Sequence, residues 1–188
     1  MISPVRLVQL SIFLFSTHLV ICKLKFTNIK CVTFDPEFAV FDYCFLKSVN
    51  RTYKYYSLKV KLLKTPVTNV KSKMFSPVRL IQLSIFLYTF HQVRTACKSN
   101  TIDACRFYKN QKSNPIAGYL YSLFKDYSNM NHSCPYDHDI IVEKVSISHL
   151  NTQVTDVLPV PHGDYLFHSN WYAYDIIRAT ADVYVTIS

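Results

Sequence analysis

One stretch of the sequence gathers side chains that are able to ligate a metal ion. Asp137, His138 and Asp139 are consecutive, and His132 lies shortly before them. A zinc site needs three or four ligands in a fixed geometry. Because successive side chains of a strand point to opposite faces, Asp137 and Asp139 would face one side and His138 the other. We therefore interpret these residues as the polar start of a strand, and we predict no metal site and no cofactor.

Nucleophilic catalysis is the second chemistry to consider. It requires a serine or cysteine beside a histidine and an orienting group. His149, His162 and His168 are available, but the sequence has no nucleophile elbow. With only 2 glycines in 188 residues, it also has no glycine-rich loop to cradle a phosphate. We predict that the protein is not an enzyme.

The basic charge of the chain points to surfaces rather than to a nucleic acid. The formal net charge is +9, which favours nucleic acids or anionic membranes as partners. The basic residues are dispersed, as at Lys59, Lys61 and Lys64, and they form no arginine-rich run. We predict a solvated basic strand face, with an anionic surface or lipid headgroup as the alternative, and no nucleic-acid partner.

Residues 1–22 have the layout of a secretory signal peptide. Arg6 supplies positive charge, residues 7–21 are mostly apolar, and charged residues resume at Lys23. The apolar run is shorter than the ~20 residues that a membrane-spanning helix needs. We predict that the protein is secreted, and the alternative is an uncleaved anchor in residues 1–22.

Secretion gives a meaning to the cysteines and to two sequons. Cysteines in an oxidising compartment are expected to form disulfides, apart from any that signal cleavage removes. Asn50-Arg51-Thr52 and Asn131-His132-Ser133 are acceptor sequons, so Asn50 and Asn131 are predicted glycosylation sites. The cysteines are Cys22, Cys31, Cys44, Cys97, Cys105 and Cys134.

The signal-like segment occurs twice in the chain. Residues 74–93 repeat residues 1–20 with fourteen identities in twenty positions and no gap. Two copies do not make a solenoid, and the simplest account is a join between two duplicated genes, whether a real fusion or an error in exon prediction. The alternative is a membrane anchor at residues 75–93, although Arg79 and His91 interrupt its apolar run.

This repeat sets the predicted organisation of the chain. Residues 1–22 are the signal peptide, and residues 23–72 form the first part of a domain. Residues 73–98 are a signal-like insert, and residues 99–188 complete the domain.

Periodicity predicts several strands. Residues 24–33 and 38–49 are rich in apolar and aromatic side chains, with the turn Asp35-Pro36 between them. Alternating apolar side chains indicate half-buried strands at 56–62 and 177–187. A further strand is predicted at 139–147, and together these elements predict a β-sandwich with a helical insertion.

Two helices are predicted. One spans about residues 115–130, where Pro115 suits the first turn. The other lies near residues 77–91, inside an apolar helical insert at about 75–93, because apolar residues there are nearly consecutive rather than alternating. The apolar face of the first helix is predicted to consist of Ile116, Tyr119, Leu120, Leu123, Phe124 and Tyr127.

An aromatic cluster precedes the last strand. Alternation places Tyr165, Phe167 and Trp171 on one face and Tyr172 and Tyr174 on the other. The first three are candidate ligand-binding residues that would line a cavity for a lipid or hydrocarbon, and ordinary core packing is the alternative.

Four segments carry a family resemblance: residues 26–71, DACRFYKN at 103–110, NHSCPYDHDIIVEK at 131–144 and GDYLFHSNWYAYDI at 163–176. Together they resemble a large, mostly uncharacterised family of secreted insect proteins, greatly expanded in flies, that includes the CheB chemosensory proteins. That family is distantly similar to the lipid-recognition domains of the ganglioside activator and the myeloid-differentiation lipid-binding protein.

The resemblance implies an immunoglobulin-like β-sandwich of the lipid-recognition type, whose sheets splay to admit a lipid tail, and it implies no catalysis. It carries over four framework cysteines, for which we hypothesise the disulfides Cys31–Cys44 and Cys105–Cys134. Cys97 is expected to stay unpaired. The sequence departs from the family at residues 75–98, which replace a strand-rich stretch, and a lost strand would uncover the edges of its neighbours.

The function predicted from these observations is non-enzymatic binding of an apolar or amphipathic ligand by a secreted protein, with chemosensation as the process the family implies. One alternative is an accessory protein for a membrane receptor, with a filled core. Another is a fused gene product without function.

Overall fold

The computed structural model describes residues 23–79, 100–154 and 161–188. Most of the described chain lies in antiparallel strands, and short helices lie between the fifth and seventh strands. The strands are β1 (Leu24–Thr33), β2 (Ala39–Ser48), β3 (Lys54–Leu62), β4 (Val70–Arg79), β5 (Asn100–Asp103), β6 (Ile140–Ser146), β7 (Gly163–Ala173) and β8 (Ile176–Ile187). The α-helices are α1 (Ala104–Lys109), α2 (Pro115–Ser122) and α3 (Ile147–Val154).

Two antiparallel sheets form a β-sandwich. The larger sheet has the order β1-β8-β7-β4-β5, and the smaller has the order β2-β3-β6. Their inner faces supply the main core, in which Phe26, Val145 and Val185 are almost completely buried. This architecture confirms the mainly β, sandwich-like fold that the alternating patterns predicted.

The last hairpin shows how the sequence specifies its strands. In β8, Ala179, Ala181, Val185 and Ile187 are buried, which is the alternation expected for a strand with one face on the core. The chain enters β8 from β7 through a two-residue turn at Tyr174 and Asp175, both with positive φ (54° and 62°). Two positive φ values give a turn whose twist matches that of the flanking strands.

A disulfide closes one side of the sandwich. Cys31 on β1 is bonded to Cys44 on β2, with a Cα–Cα distance of 6.3 Å. Since β1 and β2 are the edge strands of different sheets, this bond ties the two sheets together at one edge.

The opposite side of the sandwich is filled by a helical segment, residues 104–139, that connects β5 to β6. Phe107, Ala117 and Tyr121 of this segment form a buried cluster against Ile102 of β5. Asn129 covers the edge of β6, because its side chain bonds to Ile141 N (2.9 Å) and to Asp139 O (2.7 Å). The segment therefore spans the gap between two otherwise open edges.

The second disulfide ties the helical segment to itself. Cys105 at the start of α1 is bonded to Cys134, shortly before β6, with a Cα–Cα distance of 5.0 Å. Both bonds have the pairing that we hypothesised from the sequence. Cys22 and Cys97 lie outside the described residues.

The predicted helix at 115–130 was correct in its start and too long. Pro115 occupies the first turn, and Asn114 caps it by accepting a hydrogen bond from Ala117 N (3.1 Å). The α-helix ends at Ser122 and is followed by a 3-10 turn, Lys125–Tyr127. The predicted apolar face was partly wrong, since Ile116 is 61 % exposed while Ala117 and Tyr121 are buried. The helix packs between the edges of two sheets and not on the face of one sheet, and this packing decides which of its side chains are buried.

The start of the predicted helical insert is a strand. β4 runs to Arg79 and pairs with β7 from Val70 to Arg79, so residues 77–79 are not helical. On its other side β4 pairs with β5, from Lys71 to Met74. The strand therefore covers the edge of β7, because backbone pairing with β7 outweighs the helical preference of residues 77–79. Residues 80–99 lie outside the described part of the chain.

Within the described ranges, no helix combines the length and the apolar character needed to cross a membrane. The signal peptide predicted at residues 1–22 lies outside those ranges.

We predict that the Cys105–Cys134 disulfide holds the helical segment in the gap. The double variant Cys105→Ala/Cys134→Ala should lose about 3 kcal/mol in free energy of unfolding, because the bond closes a loop of intermediate length. Limited proteolysis should then cut within residues 104–139 before it cuts either sheet.

The matched control is the double variant Cys31→Ala/Cys44→Ala, which should lose similar stability without directing early cleavage to residues 104–139. Equal cleavage patterns in the two variants would show that the helical segment does not depend on its own disulfide.

Candidate functional site

An apolar cavity of about 230 Å³ lies between the two sheets and the helical segment. For comparison, an engineered apolar cavity of about 150 Å³ is large enough to bind benzene. All eight strands contribute side chains to its wall, β2 through Ala39 and β5 through Ile102.

The larger sheet supplies one wall. Alternation along β7 brings Phe167, Ser169 and Trp171 to the inner face, and all three line the cavity. Ala181 of β8 lies directly opposite Ser169 and also lines the cavity. Small side chains at these two central positions leave space that the large residues around them do not fill.

The smaller sheet supplies the facing wall. Leu58 of β3 is paired with Val142 of β6, and both are buried lining residues. Tyr56, also on β3, packs edge-on against the ring of Phe26, and the two ring centroids are 5.4 Å apart. Burial alone raises the pKa of the Tyr56 phenol.

The helical segment forms the third wall, which is aromatic. The rings of Tyr108 and Tyr121 meet edge to face with centroids 5.1 Å apart. The Tyr121 hydroxyl donates to Met130 O (2.8 Å) and the Tyr136 hydroxyl to His132 O (2.9 Å). Tyr108, Tyr121 and Tyr136 were not predicted from the sequence, although the density of aromatic residues in this segment would have indicated them.

The lining is overwhelmingly apolar. Its aliphatic and aromatic members include Leu24, Phe38, Leu58, Leu62, Val67, Val70, Ile102, Phe107, Leu120, Leu123, Phe124, Met130, Ile140, Val142, Leu150, Val154, Phe167, Trp171, Val183 and Val185.

The charged residues in the wall are each paired with a carboxylate. Lys71 forms a salt bridge with Asp175, at 2.5 Å. Arg178 forms one with Asp35 and also lies over the Phe38 ring, 4.1 Å from its centroid. These pairings leave little charge directed at the cavity, so it is suited to an uncharged occupant.

Two of the three predicted ligand-binding residues, Phe167 and Trp171, lie in the cavity wall. Tyr165 has the same orientation on β7 but packs in the core beyond it, where its hydroxyl donates to Pro161 O (2.6 Å). The face of β7 on which alternation places these three residues is therefore the inner face. The cavity does not extend along β7 as far as Tyr165, so Tyr165 does not line it.

The histidine and aspartate residues around Cys134 do not converge on one point that could hold a metal ion. The Nε2 atoms of His132 and His138 are 2.7 Å apart and bond to each other. Asp139 pairs with Lys59 (3.2 Å), and Asp137 is exposed. Among the residues that the structure describes, no group of three or more potential ligands is arranged to hold a metal ion.

Both sequon asparagines lie at the surface. Asn50 is exposed in the β2–β3 turn, where its side-chain oxygen accepts hydrogen bonds from Thr52 N (2.9 Å) and Tyr53 N (2.7 Å). Asn131 is exposed shortly before Cys134. Either side chain is accessible to a glycosylating enzyme.

The fold and the site define a class of protein: a disulfide-bonded β-sandwich with an apolar internal cavity. A family model described as a protein of unknown function (DUF1091) matches residues 82–167. The matched residues include the whole helical segment and Phe167, so they contribute much of the cavity wall. No curated protein matches the chain.

We predict that the buried tyrosines make the fold sensitive to alkali. Burial raises the pKa values of Tyr108 and Tyr136 well above the ordinary value. The unfolded chain ionises first, near pH 10, so the stability contributed by these phenols is complete below pH 10 and is lost as the pH rises above it. Phenolate absorbance and circular dichroism, followed together during titration with base, should show these tyrosines ionising only as the sheets unfold.

An exposed tyrosine provides the internal reference. A hydrogen bond to Glu143, with smaller contributions from partial burial and from nearby carboxylates, raises the pKa of Tyr43 to about 12. The Tyr43→Phe variant should therefore remove a part of the titration that is independent of unfolding. Ionisation of all tyrosines near pH 10 in a folded protein would contradict the described aromatic wall.

Proposed function

We propose that this protein is a secreted, non-enzymatic binding protein for an apolar or amphipathic ligand, such as a lipid or a hydrocarbon-like molecule. The observation that carries the proposal is the apolar cavity of about 230 Å³ between the sheets. Ligand sites are typically concave, mostly apolar and provided with a few polar groups.

The energetics of the cavity favour an occupant. Unfilled space costs a protein the contacts that the atoms lining it would otherwise make. The cavity wall offers few polar groups that would hold water, and apolar cavities of this kind remain dry. A ligand that fills the space would recover the lost contacts and exclude no well-bound water.

The chemistry of the wall supports binding without catalysis. The cysteines of the described chain are all in disulfides, and the lining serine Ser169 donates its hydroxyl to Ala181 O (2.9 Å) rather than to a base. The disulfides and the exposed sequon asparagines support the proposal that the protein is secreted and carries glycans.

A partly exposed aromatic row favours a second candidate, an accessory role for a membrane receptor. On the smaller sheet, Tyr43, Phe45 and Tyr55 follow one another with centroids 5.7 and 6.4 Å apart. Phe45 is 40 % exposed and Tyr53, next to Tyr55, is 37 % exposed. Aromatic residues at the surface are enriched in protein interfaces. The cavity speaks against the filled core that this role would require.

We predict that an apolar ligand will contact Trp171 directly. Trp171 is the single tryptophan of the chain and lines the cavity, so its fluorescence reports the cavity without a label. Bromodecane should quench it saturably, because a bromine atom quenches on contact, whereas decane should shift its emission without quenching. Linear quenching without saturation would indicate collisions from solvent and would contradict binding in the cavity.

We predict that filling the cavity will abolish this binding. Ala181→Leu places a larger side chain at the centre of the wall and should weaken bromodecane binding by about tenfold or more, while the melting temperature is kept or raised, since added contacts fill space. The measurement is the quenching titration together with thermal unfolding.

Tyr184→Leu is the matched control, because Tyr184 lies on the opposite face of β8 and should leave binding unchanged. If the Ala181→Leu variant overpacks and unfolds, Val183→Phe tests the same wall. Undiminished binding in a folded filling variant would place the ligand elsewhere and favour the accessory role.

A further inference from the structure

One hydroxyl in the cavity wall has no hydrogen-bond partner. Ser72 on β4 lies opposite Trp171 on β7 and lines the cavity. Its Oγ is buried, and no atom of the residues that the structure describes bonds to it. A buried hydroxyl left in this state destabilises the fold, and the large majority of buried polar side-chain atoms have a partner.

The neighbouring polar groups of this wall are already satisfied within the protein. Trp171 Nε1 donates to Ser169 Oγ (3.1 Å), and Ser169 in turn donates to Ala181 O (2.9 Å). On the helical segment, the hydroxyls of Tyr121 and Tyr136 donate to backbone carbonyls. Ser72 therefore differs from Ser169, whose hydroxyl both donates and accepts a hydrogen bond within the protein.

Among the described residues of the wall, each cation is already paired with a carboxylate of the chain. Lys71 and Arg178 are paired with carboxylates of the chain, and His168 Nδ1 bonds to Asp182. Burying an ionised carboxyl group without a partner is far more costly than burying a neutral oxygen. A charged fatty acid is consequently a poor match for the cavity.

The space beside Ser72 allows its hydroxyl to be used. Ser169 and Ala181 are small, so the cavity wall is recessed at these two positions. In the structure Ser72 Oγ is covered by surrounding atoms. A serine side chain has three staggered positions about χ1, and the inference requires that one of the other two direct the hydroxyl into the cavity. The other candidate hydroxyl, that of Tyr56, belongs to a ring packed against Phe26 in the main core.

We infer that the ligand is a neutral aliphatic molecule that carries one oxygen, a hydroxyl or a carbonyl, and that this oxygen forms a hydrogen bond with Ser72 Oγ. The inference rests on the proposed function and specifies the class of ligand. A long-chain alcohol, aldehyde or ester fits, and a plain alkane or an ionised fatty acid fits less well.

The test is a double-mutant cycle on ligand and protein. Binding of decanol, decane and decanoate to the wild-type protein and to Ser72→Ala is measured by the emission of Trp171, so that differences in ligand hydration cancel. We expect Ser72→Ala to weaken decanol binding about threefold to tenfold, the usual effect of one neutral hydrogen bond. Decane binding should be unchanged, and decanoate should bind most weakly at neutral pH.

Ser169→Ala is the matched control, because its hydroxyl bonds only to the protein and its loss should change the affinities for decane and decanol by the same factor. Tyr56→Phe should change the affinities for decane and decanol by the same factor. Loss of decanol affinity in Tyr56→Phe but not in Ser72→Ala would overturn the assignment, as would equal effects of Ser72→Ala on decane and decanol.

Thermal unfolding without ligand gives an independent check. Ser72→Ala removes an unsatisfied hydroxyl, so the melting temperature should stay the same or rise, whereas a marked fall would show that the hydroxyl is bonded within the protein and would overturn the inference. Failure of all three ligands to bind would instead refute the proposed function.

Discussion

The structure depends on a mismatch between its two sheets. Five strands face three, so part of the inner surface of the larger sheet has no strand opposite it, and exposing that apolar face to water would cost more than a small domain can sustain. The helical segment at residues 104–139 covers the remainder. The disulfide Cys31–Cys44 closes the sandwich at the edge where strands meet, and Cys105–Cys134 constrains the edge where helices replace them.

A helical segment covers the inner face of a sheet less evenly than additional strands of the facing sheet would. Strands in a sheet are spaced about 4.8 Å apart and present a regular surface, whereas short helices meet it at a few large side chains, here mainly Phe107, Tyr121 and Tyr136. Between these contacts and the small residues Ser169 and Ala181 the inner faces do not touch, and the cavity lies in that gap. The binding site is therefore a consequence of how the mismatch is covered.

Strand β4 illustrates how tertiary pairing overrides local sequence. Its second half, from Phe75 to Arg79, repeats part of the N-terminal signal-like segment, and its composition predicts a helix. In the fold the same residues pair with β7, because an uncovered edge on a central strand leaves backbone groups without partners. β4 contains the start of the repeated segment, and it also carries Ser72. The candidate site therefore extends to the boundary of the repeat.

The sequence by itself determined most of the strands, since a two-residue apolar period commits a segment to one buried face, as in β3 and β8. It also located the start of α2 and the aromatic pair Phe167 and Trp171, because capping and alternation are local properties. Tertiary structure alone decided that β4 pairs between β7 and β5, that α2 buries Tyr121 and leaves Ile116 exposed, and that Tyr108 and Ser72 share a cavity with Trp171. These outcomes depend on which surfaces remain uncovered once the sheets have formed, and no local pattern contains that information.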